Sequence, residues 1–349
     1  HRRGAPAGGA PAAVKAVRTD RALECPRVDS GLRARGLRLV TLPDGIGEDD
    51  LAHEARDADL ILMCYTPITA RVIEGAVRLK GIVKYGVGID AIDIAAAMRR
   101  RVPVVNVPEY AEDTVAEGAF ALMIALAKKL QPMGRAMAAE GWLWPTARWM
   151  GVDLAAKTLG LVGVGRIGSR LARMAGAGFR MRVLGYDPHV SAAAMAAAGV
   201  EKQDDLPAML AACDFVSIHA VLTPETRRLM GAAELAAMKP TALLINTARG
   251  ALVDEGALLA ALRERRIAGA GLDVFAEEPL SKAHALAALY AMDNVILTPH
   301  LTFFTAEAMA RLEEETLARS AEILEGRPVT VKSRDPRLRA QTHGVAFEG

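Results

Sequence analysis

The chain has 349 residues, with 43 Lys and Arg against 41 Asp and Glu for a net charge of +2, too balanced for a protein that works by holding the phosphate backbone of a nucleic acid. At about 150 residues per domain the length suits two domains, and 52% hydrophobic with 24% charged residues excludes global disorder. The longest strongly apolar run, 119–127, is far short of the roughly 20 residues that span a bilayer, so no membrane segment is expected.

Residues 1–12 are small, charged and rich in Gly and Pro, without the apolar centre of a secretory signal. Residues 1–13 are expected to be disordered. From Val14 onward short apolar runs alternate with helical stretches: VKAV, LRLVTL, DLILMC, GIVKYG and VPVVNV read as buried strands ended by Gly, Pro, Asp or Asn. Continuous apolar strands between helices predict a parallel sheet covered on both faces. A long helix is expected from Asp113 to Lys129, followed by a loop that carries Trp142, Trp144 and Trp149 and suggests packing against another subunit. A second series then begins, TLGLVGVG, RVLGYD, DFVSIHA, ALLINTA, GAGLDVF and NVILTPH, giving six candidate strands as a dinucleotide-binding domain requires. A charged helix from Ala306 to Glu325 and the turn Gly326-Arg327-Pro328 follow, and the polar, basic tail 334–349 is expected to be mobile. Cys25, Cys64 and Cys213 lie far apart with no Cys-x-x-Cys pair, which suits a reducing cytoplasm and indicates neither a disulfide framework nor a metal site.

The run Gly163-Val164-Gly165-Arg166-Ile167-Gly168 matches G-x-G-x-x-G directly after an apolar strand and directly before a helix, expected from Ser169 to Ala177. Gly163 permits the tight turn, Gly165 admits a pyrophosphate to backbone N–H groups at the helix N-terminus, and Gly168 lets helix and strand pack closely. Asp187 ends the next strand, where a carboxylate can bind the ribose hydroxyls of the adenosine and repel a 2′-phosphate. The expected cofactor is therefore NAD rather than NADP.

Three further landmarks end successive strands: Asn246-Thr247-Ala248-Arg249-Gly250; Gly271-Leu272-Asp273-Val274-Phe275 leading to Glu277-Glu278-Pro279; and Leu297-Thr298-Pro299-His300. With these motifs in this order, the chain resembles the D-isomer-specific 2-hydroxyacid dehydrogenases from about residue 14 to 332. That family includes phosphoglycerate dehydrogenase, glyoxylate and hydroxypyruvate reductases, D-lactate dehydrogenase and the C-terminal-binding-protein corepressors. The resemblance implies that Arg249 holds the carboxylate and keto oxygen of the substrate with its planar fork, and that Glu278 pairs with His300, stabilising the imidazolium and fixing its tautomer. His300 would protonate the carbonyl oxygen as hydride arrives and take the proton back in the oxidative direction.

The same resemblance implies further contacts. Lys84 to Asp90 resembles the glycine turn whose backbone faces the substrate, at Val87 and Gly88, while Asp90 reads as a helix cap. Thr114, Leu222, Thr223, Thr226, Thr247, Ala248 and Asp273 match positions that border the cofactor, with Arg166, Ile167 and His300 beside them; Tyr65 is a candidate for lining the substrate pocket. Where the family often has small residues after the histidine, this chain has Leu301-Thr302-Phe303-Phe304, closer to the corepressor branch. His219 and the remaining histidines read as structural.

The expected fold is α/β: two doubly wound parallel-sheet domains, with a Rossmann cofactor domain over 108–301 inserted into a discontinuous flavodoxin-like substrate domain over 14–107 and 302–333. Crossovers near Asn106-Val107-Pro108 and Pro299-His300 would form the hinge. The expected activity is NAD-dependent interconversion of a 2-oxo acid and a D-2-hydroxy acid by a homodimer that uses no metal. The alternative is an NAD(H)-sensing, corepressor-like binding protein.

Overall fold

The computed structural model describes residues 13–348. The expectation of disorder over 1–13 therefore lies, except for Ala13, outside the described residues.

The chain forms two compact units, one up to Ala111 and again from Ala306, the other from Glu112 to Thr305. Each boundary lies four residues beyond the expected one. The Tyr110 carbonyl accepts a hydrogen bond from Arg311 Nε at 2.8 Å, which ties 108–111 to the first unit. Thr302 is bonded to Asp273, which keeps 302–305 in the second.

In the first unit β1 (Lys15–Arg18), β2 (Arg38–Thr41), β3 (Leu60–Met63), β4 (Gly81–Lys84) and β5 (Val104–Asn106) pair in parallel in the order β2-β1-β3-β4-β5. All but β2 are buried along their whole length, which is why their sequences run apolar without alternation. The helix Ile94–Arg99 is capped by Asp93, whose side chain accepts the Ala96 N–H at 2.8 Å. Asp90, expected to be the cap, instead pairs with Arg337 at 3.2 Å, because three residues still separate it from the first helical turn.

In the second unit β6 (Thr158–Val162), β7 (Arg182–Tyr186), β8 (Glu201–Lys202), β9 (Phe215–Ile218), β10 (Leu243–Asn246), β11 (Gly269–Leu272) and β12 (Val295–Leu297) form one parallel sheet, ordered β12-β11-β10-β9-β6-β7-β8. Alternate residues face two apolar layers: Leu159, Leu161 and Ile245 join one, Val162, Val216 and Leu244 the other. The strand order reverses at β6 and β9, and ligands of open α/β sheets bind at the carboxyl ends of strands at such a point. The first long helix runs from Glu112 to Ala127, not to Lys129; Lys129 turns left-handed at φ 52° and a second helix, Leu130–Glu140, follows. The tryptophan segment is a loop with one 3-10 turn, Ala147–Trp149. No helix among the described residues is long and apolar enough to cross a membrane.

The tail departs from expectation. β13 (Val329–Val331) pairs in parallel with β14 (Val345–Phe347), a short helix Pro336–Arg339 is capped by Asp335, and Leu338 is fully buried. Gln341 lies against β5: its Oε1 accepts from Val104 N at 2.7 Å and its Nε2 donates to Val104 O at 2.8 Å. Buried apolar side chains and paired backbone hold what polar composition alone reads as mobile.

Candidate active site

The glycine run leaves β6 through a turn that only glycine can make. Gly163 has φ +96°, and a Cβ there would lie 2.5 Å from the Ala220 nitrogen, so β6 and β9 approach backbone to backbone. A Cβ on Gly168 would lie 2.5 Å from the Gly163 carbonyl, whereas one on Gly165 would meet nothing within 4 Å. The helix starts at Arg166, three residues before the expected Ser169, and continues past Arg173 as a π turn, Met174–Gly178, so the amides of Arg166 and Ile167 open it and the space before Gly165 faces its positive end. The Arg166 and Arg170 side chains turn to buried Glu112, at 3.4 and 2.5 Å. Asp187 Oδ2 accepts the Val164 N–H and Oδ1 the His189 N–H, both at 3.0 Å, which fixes the carboxylate beside the turn.

Around the neighbouring strand ends, Thr226 Oγ1 accepts from Thr223 N and donates to Val221 O, each at 2.7 Å, folding the loop that includes Leu222. Thr114 is buried in the first turn of the helix Glu112–Ala127. Thr247 Oγ1 is buried with no hydrogen-bond partner among the described residues, a polar atom that suits a bound group. An open helix terminus, a ribose-side carboxylate and an unpaired hydroxyl together fit a dinucleotide.

Arg249 follows an asparagine turn: Asn246 Oδ1 accepts from Ala248 N and its Nδ2 donates to Arg249 O, at 3.0 and 2.9 Å. At Gly250 a Cβ would fall 2.0 Å from the Phe275 carbonyl carbon, so this turn lies directly on the one after β11. That approach brings the Arg249 charge to Glu278. Glu278 Oε1 accepts the Phe275 N–H at 2.9 Å and Oε2 pairs with His300 Nδ1 at 2.8 Å. Burial acts to raise the Glu278 carboxyl, but the His300 hydrogen bond and charge, the Phe275 amide and Arg249 outweigh it, so Glu278 titrates below the ordinary glutamate value.

His300 sits at φ +56° with its N–H donated to the Asp273 carbonyl at 2.7 Å. Asp273, expected beside the cofactor, also holds the turn made by the histidine's neighbours. Its carboxylate is fully buried and accepts four hydrogen bonds from Thr298 Oγ1, Leu301 N, Thr302 N and Thr302 Oγ1, at 2.6 to 3.1 Å. The aspartate thus shapes the turn that presents His300, and the Phe303 ring stands edge-on to the imidazole at 6.5 Å. His219 bonds Ser217 Oγ at 2.8 Å, and burial lowers its imidazole to about 4 even though the residue keeps some exposed surface. Among the described residues no group of three His, Cys, Asp or Glu side chains is placed to hold a metal ion.

In the first unit, Gly86 has φ +148° and Val87 and Gly88 form the expected turn, held by Asn106 Nδ2 donating to Val87 O at 2.6 Å. Asn106, Asn246, Thr298 and Thr302 stand inside the quoted motifs but were given no site role from sequence; Asn106 reaches the glycine turn only through space, by its bond to Val87 O.

Residues 120–302 match the family model described as the D-isomer-specific 2-hydroxyacid dehydrogenase NAD-binding domain. Glyoxylate reductase of Korarchaeum cryptofilum is 40% identical over 76% of this chain and 79% of its own length. D-3-phosphoglycerate dehydrogenase of Methanocaldococcus jannaschii is 40% identical over 77% of this chain and 50% of its own, so the chain spans about half the length of that relative. The structure of Aquifex aeolicus D-lactate dehydrogenase, complexed with NAD and lactic acid, superimposes with a TM-score of 0.79 at 30% identity, covering 89% of this chain and 96% of that one. The chain belongs to the D-isomer-specific 2-hydroxyacid dehydrogenase family, and its cofactor is NAD.

Proposed function

We propose that this protein interconverts a 2-oxo acid and a D-2-hydroxy acid with NAD, and that His300 is its acid/base. The observation that carries this reading is the 2.8 Å bond between His300 Nδ1 and Glu278 Oε2, with the Arg249 charge beside the same carboxylate. When bound, the nicotinamide supplies or accepts the hydride. Glu278 fixes Nδ1, so the proton is exchanged with the substrate oxygen at Nε2 of His300. Arg249 orients the carboxylate and polarises the keto oxygen, with backbone N–H groups at Val87 and Gly88 as further substrate contacts. Thr114, Leu222, Thr223, Thr226, Thr247 and Ala248 border the cofactor, and Asp187 favours NADH over NADPH. Three buried free cysteines support a cytoplasmic location. The exposed Trp142 and Trp144, at 73% and 74%, with exposed Leu130 and Met137, support a homodimer built on this segment, measurable by light scattering.

A second reading, an NAD(H)-sensing binding protein, draws on the aromatic pair Phe303 and Phe304 after the histidine. One experiment separates the two. His300→Ala is expected to lower kcat for 2-oxo acid reduction about 10²- to 10⁴-fold while NADH binding stays nearly unchanged. Arg249→Lys should weaken both KM and kcat, because a point charge cannot reproduce the fork. Glu278→Gln should act less on kcat and shift the pH profile. If wild type turns over no 2-oxo acid faster than His300→Ala, the binding-protein reading stands.

A further inference from the structure

The first turn of the helix Glu112–Ala127 and the helix Arg166–Arg173, which opens on the phosphate turn, share one ionic cluster inside the second unit. Glu112 is its centre: the residue is 7% exposed, and its carboxylate meets Arg170 Nη2 at 2.5 Å and Arg166 Nε at 3.4 Å. The two contacts are unequal. Arg170 is also paired with Asp113 at 2.7 Å and donates to the Arg166 carbonyl at 3.2 Å, so its guanidinium is fixed in place. Arg166 stands farther from Glu112 than the distance of about 2.7–2.9 Å at which charged hydrogen bonds are strong. Its side chain also keeps 30% of its surface exposed.

Arg166 is at the same time the residue that opens its helix, directly after Gly165, where a Cβ would meet nothing within 4 Å. An arginine arm at that position is long enough to turn to an anion at the end of its own helix. A diphosphate and a carboxylate are then rival acceptors for one planar fork. The exchange does not strand Glu112, because Arg170 stays on it. A carboxylate buried without any cation is strongly disfavoured, and the Arg170 contact removes that obstacle.

We propose that Arg166 is shared between Glu112 and the pyrophosphate of the cofactor, and that Glu112 is thereby the residue that sets cofactor affinity. It competes for the arginine and keeps NAD(H) binding weaker than the phosphate turn would otherwise make it. Arg170 is the anchor that lets Glu112 give Arg166 up. The cluster favours exchange of oxidised for reduced cofactor at each turnover over tight retention.

The test measures dissociation constants for NADH, by fluorescence titration, and for ADP-ribose, which keeps the pyrophosphate without the nicotinamide, by calorimetry. Glu112→Gln should tighten both about 5- to 20-fold, the lower part of the worth of a charge-assisted hydrogen bond, and slow NADH release in stopped flow by a similar factor. The gain should vanish in the double variant Glu112→Gln with Arg166→Gln. Arg170→Gln should do the opposite. With its anchor gone, Glu112 grips Arg166 harder, and both ligands should bind at least about threefold more weakly, a loss that disappears when Arg166 is also replaced by Gln. A folded Glu112→Gln that binds NADH unchanged or more weakly is a structural clasp and overturns the proposal, as does a gain that survives Arg166→Gln. If Glu112→Gln does not fold, the Arg170→Gln pair decides: no loss, or a loss that persists without Arg166, overturns the proposal equally.

Discussion

After β4 the chain turns through Gly86-Val87-Gly88, and after β6 it turns through Gly163-Val164-Gly165; in both, a glycine at positive φ starts the turn, at +148° and +96°. Behind them the two differ. The second turn runs at once into the helix Arg166–Arg173, so it faces a row of amides and a partial positive charge spread over them, with the Asp187 carboxylate at its flank. The first meets no helix until Ile94 and is backed by one buried ammonium. A spread partial charge suits a pyrophosphate, and in the function proposed above the flanking carboxylate takes the ribose hydroxyls. The localised charge of Lys84 behind the first turn is instead turned inward, to the Cys64 carbonyl.

The strongest challenge to this contrast is a pair of alanines in the second turn. Gly163→Ala places a Cβ against the Ala220 backbone at unfavourable φ and should lose about 3 kcal/mol, seen as a fall of about 6–12 °C in the thermal midpoint. Gly165→Ala meets nothing in the fold, so its midpoint should move by less than about 2 °C while NADH affinity falls at least about tenfold. Unchanged affinity in a folded Gly165→Ala would show that the helix terminus is not the phosphate surface. Next in size, Asp187→Ala should narrow the ratio of NADPH to NADH dissociation constants about tenfold, measured by fluorescence titration.

The smallest effect concerns His219, whose backbone carbonyl carbon lies 2.6 Å from the Cβ position at Gly163. Where Lys84 puts a cation behind one turn, this ring is neutral behind the other. Its folded value of about 4 is below the ordinary 6.5, so unfolding takes up a proton in that window. Stability is therefore lost as pH falls from about 6.5 to about 4. His219→Asn should flatten that loss by about 1 kcal/mol, less than the full shift implies because the residue retains exposed surface. A pH–stability curve identical to wild type would place the charge elsewhere.

The strands were legible because burial on both faces leaves an unbroken apolar signature; β8, two residues with Glu201 exposed, leaves none. The helix Leu130–Glu140 was not predicted; it carries Pro132 in its first turn, where proline is tolerated, and Gly134. The glycine motif is local and was readable from spacing. The Glu278–His300 pair joins positions 22 apart on different strand ends, so only the family resemblance pointed to it. The turn-shaping bonds of Asp273 were hidden for another reason: they run to backbone amides that no motif displays.

The Gln341 side chain offers one acceptor and one donor to Val104, as the backbone of a neighbouring strand residue would. β5 is the last strand of its sheet, so this amide occupies the position where a foreign strand would begin to pair. At that one residue a glutamine side chain stands in for a sixth strand, and the edge of the sheet is finished by the chain's own tail.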